Sequence, residues 1–228
     1  MFTRKGSIRR ISIESAETQI RTTGGGIIMG IFDSRAKEWD KPDRIKLASA
    51  ISMCMTGILN PDKKMTAIDI GAGTGLVTIE LAKLVKSVVA LDSSEGMLAV
   101  LREKIQSNNI ENIKTGIFDA EKDSPAEEPA DIVVSSMSMH HVKDTSVFAL
   151  KVYKMLKPGG RMAIADLEKE DGSFHGENPG GVMHNGFDRA GLEKDFKGAG
   201  FKNIRFSTAY KIPKEKMEYP VFLMIGEK

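Results

Sequence analysis

MTAIDIGAGTGLVTIELAKLV, residues 65–85, joins a short apolar run to a glycine-rich turn and then to a helical pattern. Thr66 to Ile70 is apolar but for Asp69. From Leu76 the apolar positions Ile79, Leu81, Ala82, Leu84 and Val85 recur at roughly helical spacing, so the period changes across Gly71, Gly73 and Gly75. Alternating glycines suit a turn whose backbone bends tightly and approaches a ligand without Cβ atoms in the way. The turn also opens a helix, whose free N–H groups favour an anionic group in front of them. Taken alone, such a triplet also serves a strand-to-helix turn that binds nothing. The context adds to it: Ser87 to Leu91 is a second apolar run ending in Asp92, about 20 residues past the turn, where dinucleotide-type folds place an acid for ribose hydroxyls. Together these pieces predict a βαβ unit.

Outward from this unit, strands and helices alternate. Ser94 to Gln106 is an amphipathic helix, Ile113 to Phe118 a strand closing in Asp119-Ala120, and Asp131 to Ser136 a fourth strand after a polar, proline-containing loop. Thr145 to Leu156 reads as a helix stopped by Lys157-Pro158-Gly159-Gly160, and Arg161 to Ala165 as a fifth strand ending in Asp166. This alternation predicts a doubly wound, mostly parallel α/β sheet. Glu168 to Asn185 is a long loop rich in glycine and charge, which carries His175 and His184. A long loop leaving the carboxyl end of a strand is more often functional than idle. Asp188 to Ala199 reads as a last helix, and Phe201 to Tyr210 with Tyr219 to Ile225 as an antiparallel strand pair at the sheet edge. Upstream, Phe32 to Asp40 is a short helix with Phe32 and Trp39 as apolar anchors, and a second helix runs from Pro42 to Gly57. Both are expected to cover the ligand-binding edge.

The expected organisation is an appended or poorly ordered extension over residues 1–28, a helical cap over 29–60, a cofactor-binding core over 65–166, an active-site loop over 168–186 and a C-terminal helix with a strand pair over 187–228. At 228 residues the chain is long enough for one well-cored domain. Its net charge is +2; Arg4, Lys5, Arg9, Arg10 and Arg21 against Glu14 and Glu17 make residues 1–28 +3 and leave −1 for the remainder. A near-neutral body lacks the basic footprint of a nucleic-acid binder. Cys54 is the single cysteine, which excludes an internal disulfide and fits a reducing, cytoplasmic setting; it reads as a small core residue. No apolar stretch reaches the ~18 residues that would cross a membrane.

The motifs resemble those of the class I S-adenosylmethionine-dependent methyltransferases, and the likeness runs from about Ile31 to Lys228. I-D-I-G-A-G-T-G at 68–75, A-L-D-S-S at 90–94, F-D-A at 118–120, M-H-H-V-K-D at 139–144 and L-K-P-G-G at 156–160 stand in the family's order. The resemblance implies a seven-stranded Rossmann-like sheet with the last strand antiparallel, S-adenosylmethionine as cofactor and methyl transfer to a small molecule. It implies that Gly71, Ala72 and Gly73 meet the methionine part of the cofactor, that Asp92 and Ser93 meet its ribose, and that Asp119 with Ala120 meets adenine; Ser135 joins the cofactor-binding set.

Apart from Ser135, within the fourth strand, those positions fall at or just past the carboxyl ends of strands, where open α/β sheets bind ligands. Asp92 can accept two hydroxyl hydrogens and Asp119 an exocyclic amine. Met97 can lay a thioether on the adenine face or pack in its helix core. Asp69 can receive the cofactor's ammonium or satisfy its own turn. His140, after the fourth strand, is the candidate general base, and His141 is expected to face solvent. Trp39, His175 and His184 are the candidate substrate-side residues. No metal is expected: His175 and His184 as a pair have no identified third ligand. Two rivals remain at this point. A nicotinamide-dependent oxidoreductase also uses glycines and a ribose acid, but here G-A-G-T-G replaces G-x-G-x-x-G; a non-catalytic S-adenosylmethionine-binding regulator is the other.

Overall fold

The computed structural model describes residues 32–125, 128–176, 181–214 and 217–228, and the 65–85 stretch forms the middle of its sheet. β1 (Thr66–Ile70) lies parallel between β2 (Ser87–Asp92) and β4 (Ala130–Ser136), with Ile68 beside Val89 on one side and Val133 on the other. β3 (Ile113–Ile117) pairs with β2 and β5 (Leu156–Leu167) with β4, both in parallel. β7 (Met217–Glu227) runs antiparallel between β5 and β6 (Lys202–Lys214), giving the order β3-β2-β1-β4-β5-β7-β6. The expected extension over residues 1–28 lies outside the described residues.

Because strand side chains alternate between the two faces, the sheet has two cores. Ala67, Val88, Ala90, Ile132 and Val134 pack with α1 (Pro42–Leu59), α2 (Leu76–Ala82) and α3 (Glu95–Ser107). Ile68, Ile70, Leu91 and Val133 pack with α4 (Thr145–Lys154) and α5 (Arg189–Ala199). Local signals set the helix ends. Ser94 Oγ accepts the Met97 N–H at 3.1 Å, Asp144 accepts those of Ser146 and Val147, and Asp188 that of Gly191, so one or two free N–H groups of each of these first turns are partnered. α1 stops at Asn60, which takes the left-handed conformation that asparagine tolerates (φ 45°).

The start of β5 differs from expectation, and β7 and α1 carry more than was expected of them. β5 begins at Leu156, because Leu156 pairs with Ala130 ahead of an irregularity before Ile132 and Arg161, so Lys157-Pro158-Gly159-Gly160 is a distorted strand entry. Its backbone is satisfied by Gly159 N–H to Lys228 O and Lys228 N–H to Gly160 O. The expected antiparallel pair closes the sheet, with β7 as its inner member: Phe222, Leu223 and Met224 are fully buried and β6 takes the outermost place. α1 is more than a cover, since Ile51, Met55 and Leu59 belong to the core and only its first half faces the ligand edge. Among the described residues no helix is long and apolar enough to cross a membrane.

Candidate active site

The carboxyl ends of the parallel strands open onto one cleft of about 1240 Å³, more than the roughly 300–1,000 Å³ usual for one small ligand. At one end the glycine turn is shaped by what its backbone must approach. Gly71 (φ 73°) carries no side chain because a Cβ there would lie 2.3 Å from Ser138 Cβ. At Gly73 (φ 54°) a Cβ would meet nothing within 4 Å, so bare backbone faces open space; with Asp69 and Ala72 it lines the cleft.

Asp92 stands beside this turn. Its Oδ2 accepts the Gly73 N–H at 2.7 Å and its Oδ1 the Ser94 N–H at 2.8 Å, which leaves one lone-pair direction on each oxygen. Burial pushes its pKa up against those hydrogen bonds. Asp69 is 1% exposed and accepts the Thr78 hydroxyl at 2.6 Å; burial raises its pKa to about 7, with Thr78 opposing the rise and the Asp92 charge adding to it. Farther along, Ser93, Met97, Asp119 and Ala120 line the same end. Asp119 accepts the Glu121 N–H at 2.9 Å and Lys122 Nζ at 2.7 Å, and these bonds outweigh its partial burial and hold its pKa down. Ser135 does not line the cleft. It is fully buried one layer beneath, 2.8 Å from Ser138 Oγ, which in turn reaches Ile70 O.

After β4 the chain turns at Met137, a non-glycine residue in the left-handed region (φ 51°) held by its N–H to Ala165 O at 2.8 Å. The short 3-10 turn Met139–His141 follows and brings His140 over the end of β5. There His140 Nδ1 is 2.8 Å from Asp166 Oδ1, and its backbone N–H donates to Asp166 Oδ2 at 3.1 Å. Asp166 is fully buried; burial alone raises its pKa, but the His140 charge and the hydrogen bonds from His140 and Leu167 outweigh it and hold the carboxyl below its ordinary value. With Nδ1 engaged, Nε2 is the His140 nitrogen left for the cleft that this residue lines.

The other histidines separate. His141 was expected in solvent; instead its ring packs between His140 (4.2 Å) and Phe32 (5.1 Å), its Nδ1 is 2.9 Å from Gly181 O, and burial, with the charge of His140, lowers its pKa to about 4. His175 reaches the cleft 5.1 Å from His140, and its pKa is lowered by burial and by His140. His184 stays outside the cleft because its Nε2 is taken by Val142 O at 2.9 Å and its ring by Phe187. Trp39 lines the cleft, with Phe32 edge-on at 5.8 Å. Among the described residues no group of three His, Cys, Asp or Glu side chains is arranged to hold a metal ion.

Sequence reasoning had assigned no role to Asp166, although it ends the strand beside β4. Asp33, a candidate cap for its own short helix, bonds another helix instead, and Asp40 carries no sequence signal of its role. Asp33 Oδ1 accepts the Ser94 hydroxyl at 2.5 Å and the Gly96 N–H at 2.8 Å, while Asp40 accepts the Thr74 hydroxyl at 2.6 Å and pairs with Lys104. The Phe32 to Asp40 segment is thus latched at both ends to residues adjoining Asp92 and Gly73.

Residues 68–164 match the methyltransferase domain family. An uncharacterised methyltransferase of Schizosaccharomyces pombe is 34% identical over 177 residues, which make up 71% of this chain and 62% of that protein. A ubiquinone biosynthesis O-methyltransferase of Dinoroseobacter shibae is 34% identical over 115 residues, 50% of this chain and 46% of its own. The chain therefore spans less than two thirds of the length of these curated relatives. In fold it is similar to phosphoethanolamine N-methyltransferase 2 of Haemonchus contortus, solved with S-adenosyl-L-methionine, at a TM-score of 0.66 and 17% identity over 86% of this chain and 60% of that one.

Proposed function

We propose that this chain, which matches the methyltransferase domain family over residues 68–164 and is 34% identical to an uncharacterised methyltransferase, is a class I S-adenosylmethionine-dependent methyltransferase whose cleft binds S-adenosylmethionine and directs methyl transfer to a small-molecule acceptor in a cytoplasmic setting. What supports this above all is one cleft lined by an open glycine backbone, a ribose-type acid and His140, whose ring the buried Asp166 holds. The cofactor supplies a methyl group already activated on a sulfonium. The protein's task is then alignment and, for a hydroxyl acceptor, removal of a proton.

In this reading Gly71, Ala72 and Gly73 leave room for the methionine portion, Asp69 faces its ammonium, Asp92 with Ser93 accepts from the ribose hydroxyls, and Met97, Asp119 and Ala120 hold adenine. Ser135 acts from beneath, through Ser138. His140 Nε2 takes the acceptor's proton while Asp166 holds the ring and stabilises the imidazolium that forms. Trp39 and His175 form acceptor walls, and His184 positions the loop before Phe187. A small acceptor suits the −1 charge of residues 29–228, which gives nucleic acid no evident electrostatic hold.

Titration calorimetry with S-adenosylhomocysteine and with NAD tests the cofactor. Binding of the former is expected, weakened in Asp92→Ala by about 1.5–3 kcal/mol for loss of charged hydrogen bonds; tight binding of NAD alone overturns the reading.

A further inference from the structure

Six rings that line the cleft form an arc: Trp39, Phe32, His141, His140, His175 and Phe174, each 4.2 to 5.8 Å from the next. The arc ends in cations on both sides. Arg44 lies 3.8 Å from the Trp39 ring centroid, and Lys214 Nζ lies 5.8 Å from that of Phe174. Along the arc, burial and the charge of His140 lower the pKa of His141, to about 4, and that of His175, so these two rings favour the neutral form.

The two ends are not equivalent. Lys214 is already engaged by the carbonyls of Phe174 at 2.8 Å and Ser173 at 3.2 Å. At the other end Arg44 bonds only Trp39 O, at 3.0 Å, and Arg35 has no hydrogen bond or ion pair among the described residues. Arg35 is near enough to oppose the charge of the partly buried Arg44. Lys46 lines the same mouth, against the single lining carboxylate there, Asp43; Asp40 is committed to Thr74 and Lys104. Neither guanidinium has an ion pair among the described residues, although the Asp40 charge acts on Arg44, and both line the cleft with donors suited to a carboxylate or phosphate.

We propose that the acceptor is a flat, ring-bearing anion, with its ring along the Trp39–Phe32 side of the arc and its carboxylate or phosphate between Arg35 and Arg44. This rests on the reading of the cleft as the acceptor site, and it adds the chemistry that selects the acceptor. An anion there relieves the repulsion between the two arginines, and the aromatic wall favours a ring over an alkyl chain of like charge.

Trp39 is the only tryptophan, so its emission reports on this end directly. The full chain, saturated with S-adenosylhomocysteine, is titrated with benzoate, phenyl phosphate and the neutral benzamide. A saturable change is expected with at least one anion, weakened by added salt, with benzamide binding at least about ten-fold more weakly. The tighter of the two anions identifies the group. Arg35→Gln, at an exposed position, is expected to weaken the anion roughly three- to ten-fold and leave benzamide unchanged; Arg44→Gln, which touches the reporter, is read by calorimetry and is expected to do the same. Equal binding of benzamide and the anions, no saturable signal from any of the three, or unchanged anion affinity in both variants overturns the proposal. Calorimetry with S-adenosylhomocysteine separates the outcomes: its failure counts against the cofactor reading, whereas intact cofactor binding without anion preference counts against the anion site alone.

Discussion

At the residue scale the site turns on what each polar side chain has left after its internal bonds are made. Asp166 is wholly buried and spends both oxygens on His140 and Leu167, which makes it a positioning residue. Asp166→Asn and His140→Gln are each expected to lower turnover by roughly 10²–10⁴ with S-adenosylhomocysteine affinity unchanged. In addition, the acidic limb of the pH–rate profile should move in Asp166→Asn, because the imidazolium loses its counter-charge. A profile of unchanged shape in that variant reduces Asp166 to packing. Gly71 has a different constraint: Gly71→Ala puts a Cβ onto Ser138, and strain at positive φ adds to the clash. A loss of about 1–3 kcal/mol is expected in denaturant unfolding; wild-type stability there contradicts the clash. Much of this was legible in the motifs, since glycines and acids at strand ends announce a ligand edge. The His140–Asp166 pair was not, because it depends on β4 and β5 being neighbours and on the left-handed Met137 turning the chain.

At the scale of elements, patterning foretold which segments form strands and helices better than where they sit. Continuous apolar runs identified β1, β2 and β4, and the structure adds side-chain caps at Ser94, Asp144 and Asp188. The insertion of β7 between β5 and β6 was out of reach because adjacency in a sheet is a tertiary choice, not a local propensity. The segment from Phe32 to Asp40 reads as a cover from its place ahead of the sheet and its aromatic residues, and the structure adds the latch. Asp33 caps the N-terminus of α3, Asp40 joins Thr74 and Lys104, and Lys104 Nζ also donates to Thr74 O at 2.7 Å. In Asp33→Ala combined with Asp40→Ala, the segment should open more often, with hydrogen exchange at residues 32–40 accelerated and cofactor dissociation faster, while the melting temperature falls little. Unchanged exchange over those residues removes the latch.

At the scale of the whole molecule, Asp69 couples the core to the solution. It lies among apolar strand residues at the centre of the sheet, with its carboxyl raised from the ordinary value of 3.8 to about 7. A carboxyl with a raised folded pKa binds a proton more tightly folded than unfolded. Its contribution is therefore most favourable below about pH 4, declines by up to about 1.4 kcal/mol per unit as pH rises towards 7, and is level above that. Asp92 shifts in the same direction, while Asp119, Asp131 and Asp166 shift in the opposite one, so the comparison that isolates Asp69 is with Asp69→Asn. Asparagine can still accept the Thr78 hydroxyl. The variant should match the wild type in stability near pH 4 and exceed it by a few kcal/mol near pH 8. A positively charged cofactor beside Asp69 reverses the sign of the benefit, since it favours the ionised form and expels the proton on binding. Affinity of the wild type for S-adenosylmethionine should thus rise between pH 5.5 and 7.5, with proton release measurable by calorimetry in buffers of different ionisation enthalpy, and Asp69→Asn should flatten both. Parallel stability curves for the two proteins, or no proton release on binding, place Asp69 outside the cofactor's field and leave it as a partner of Thr78 alone.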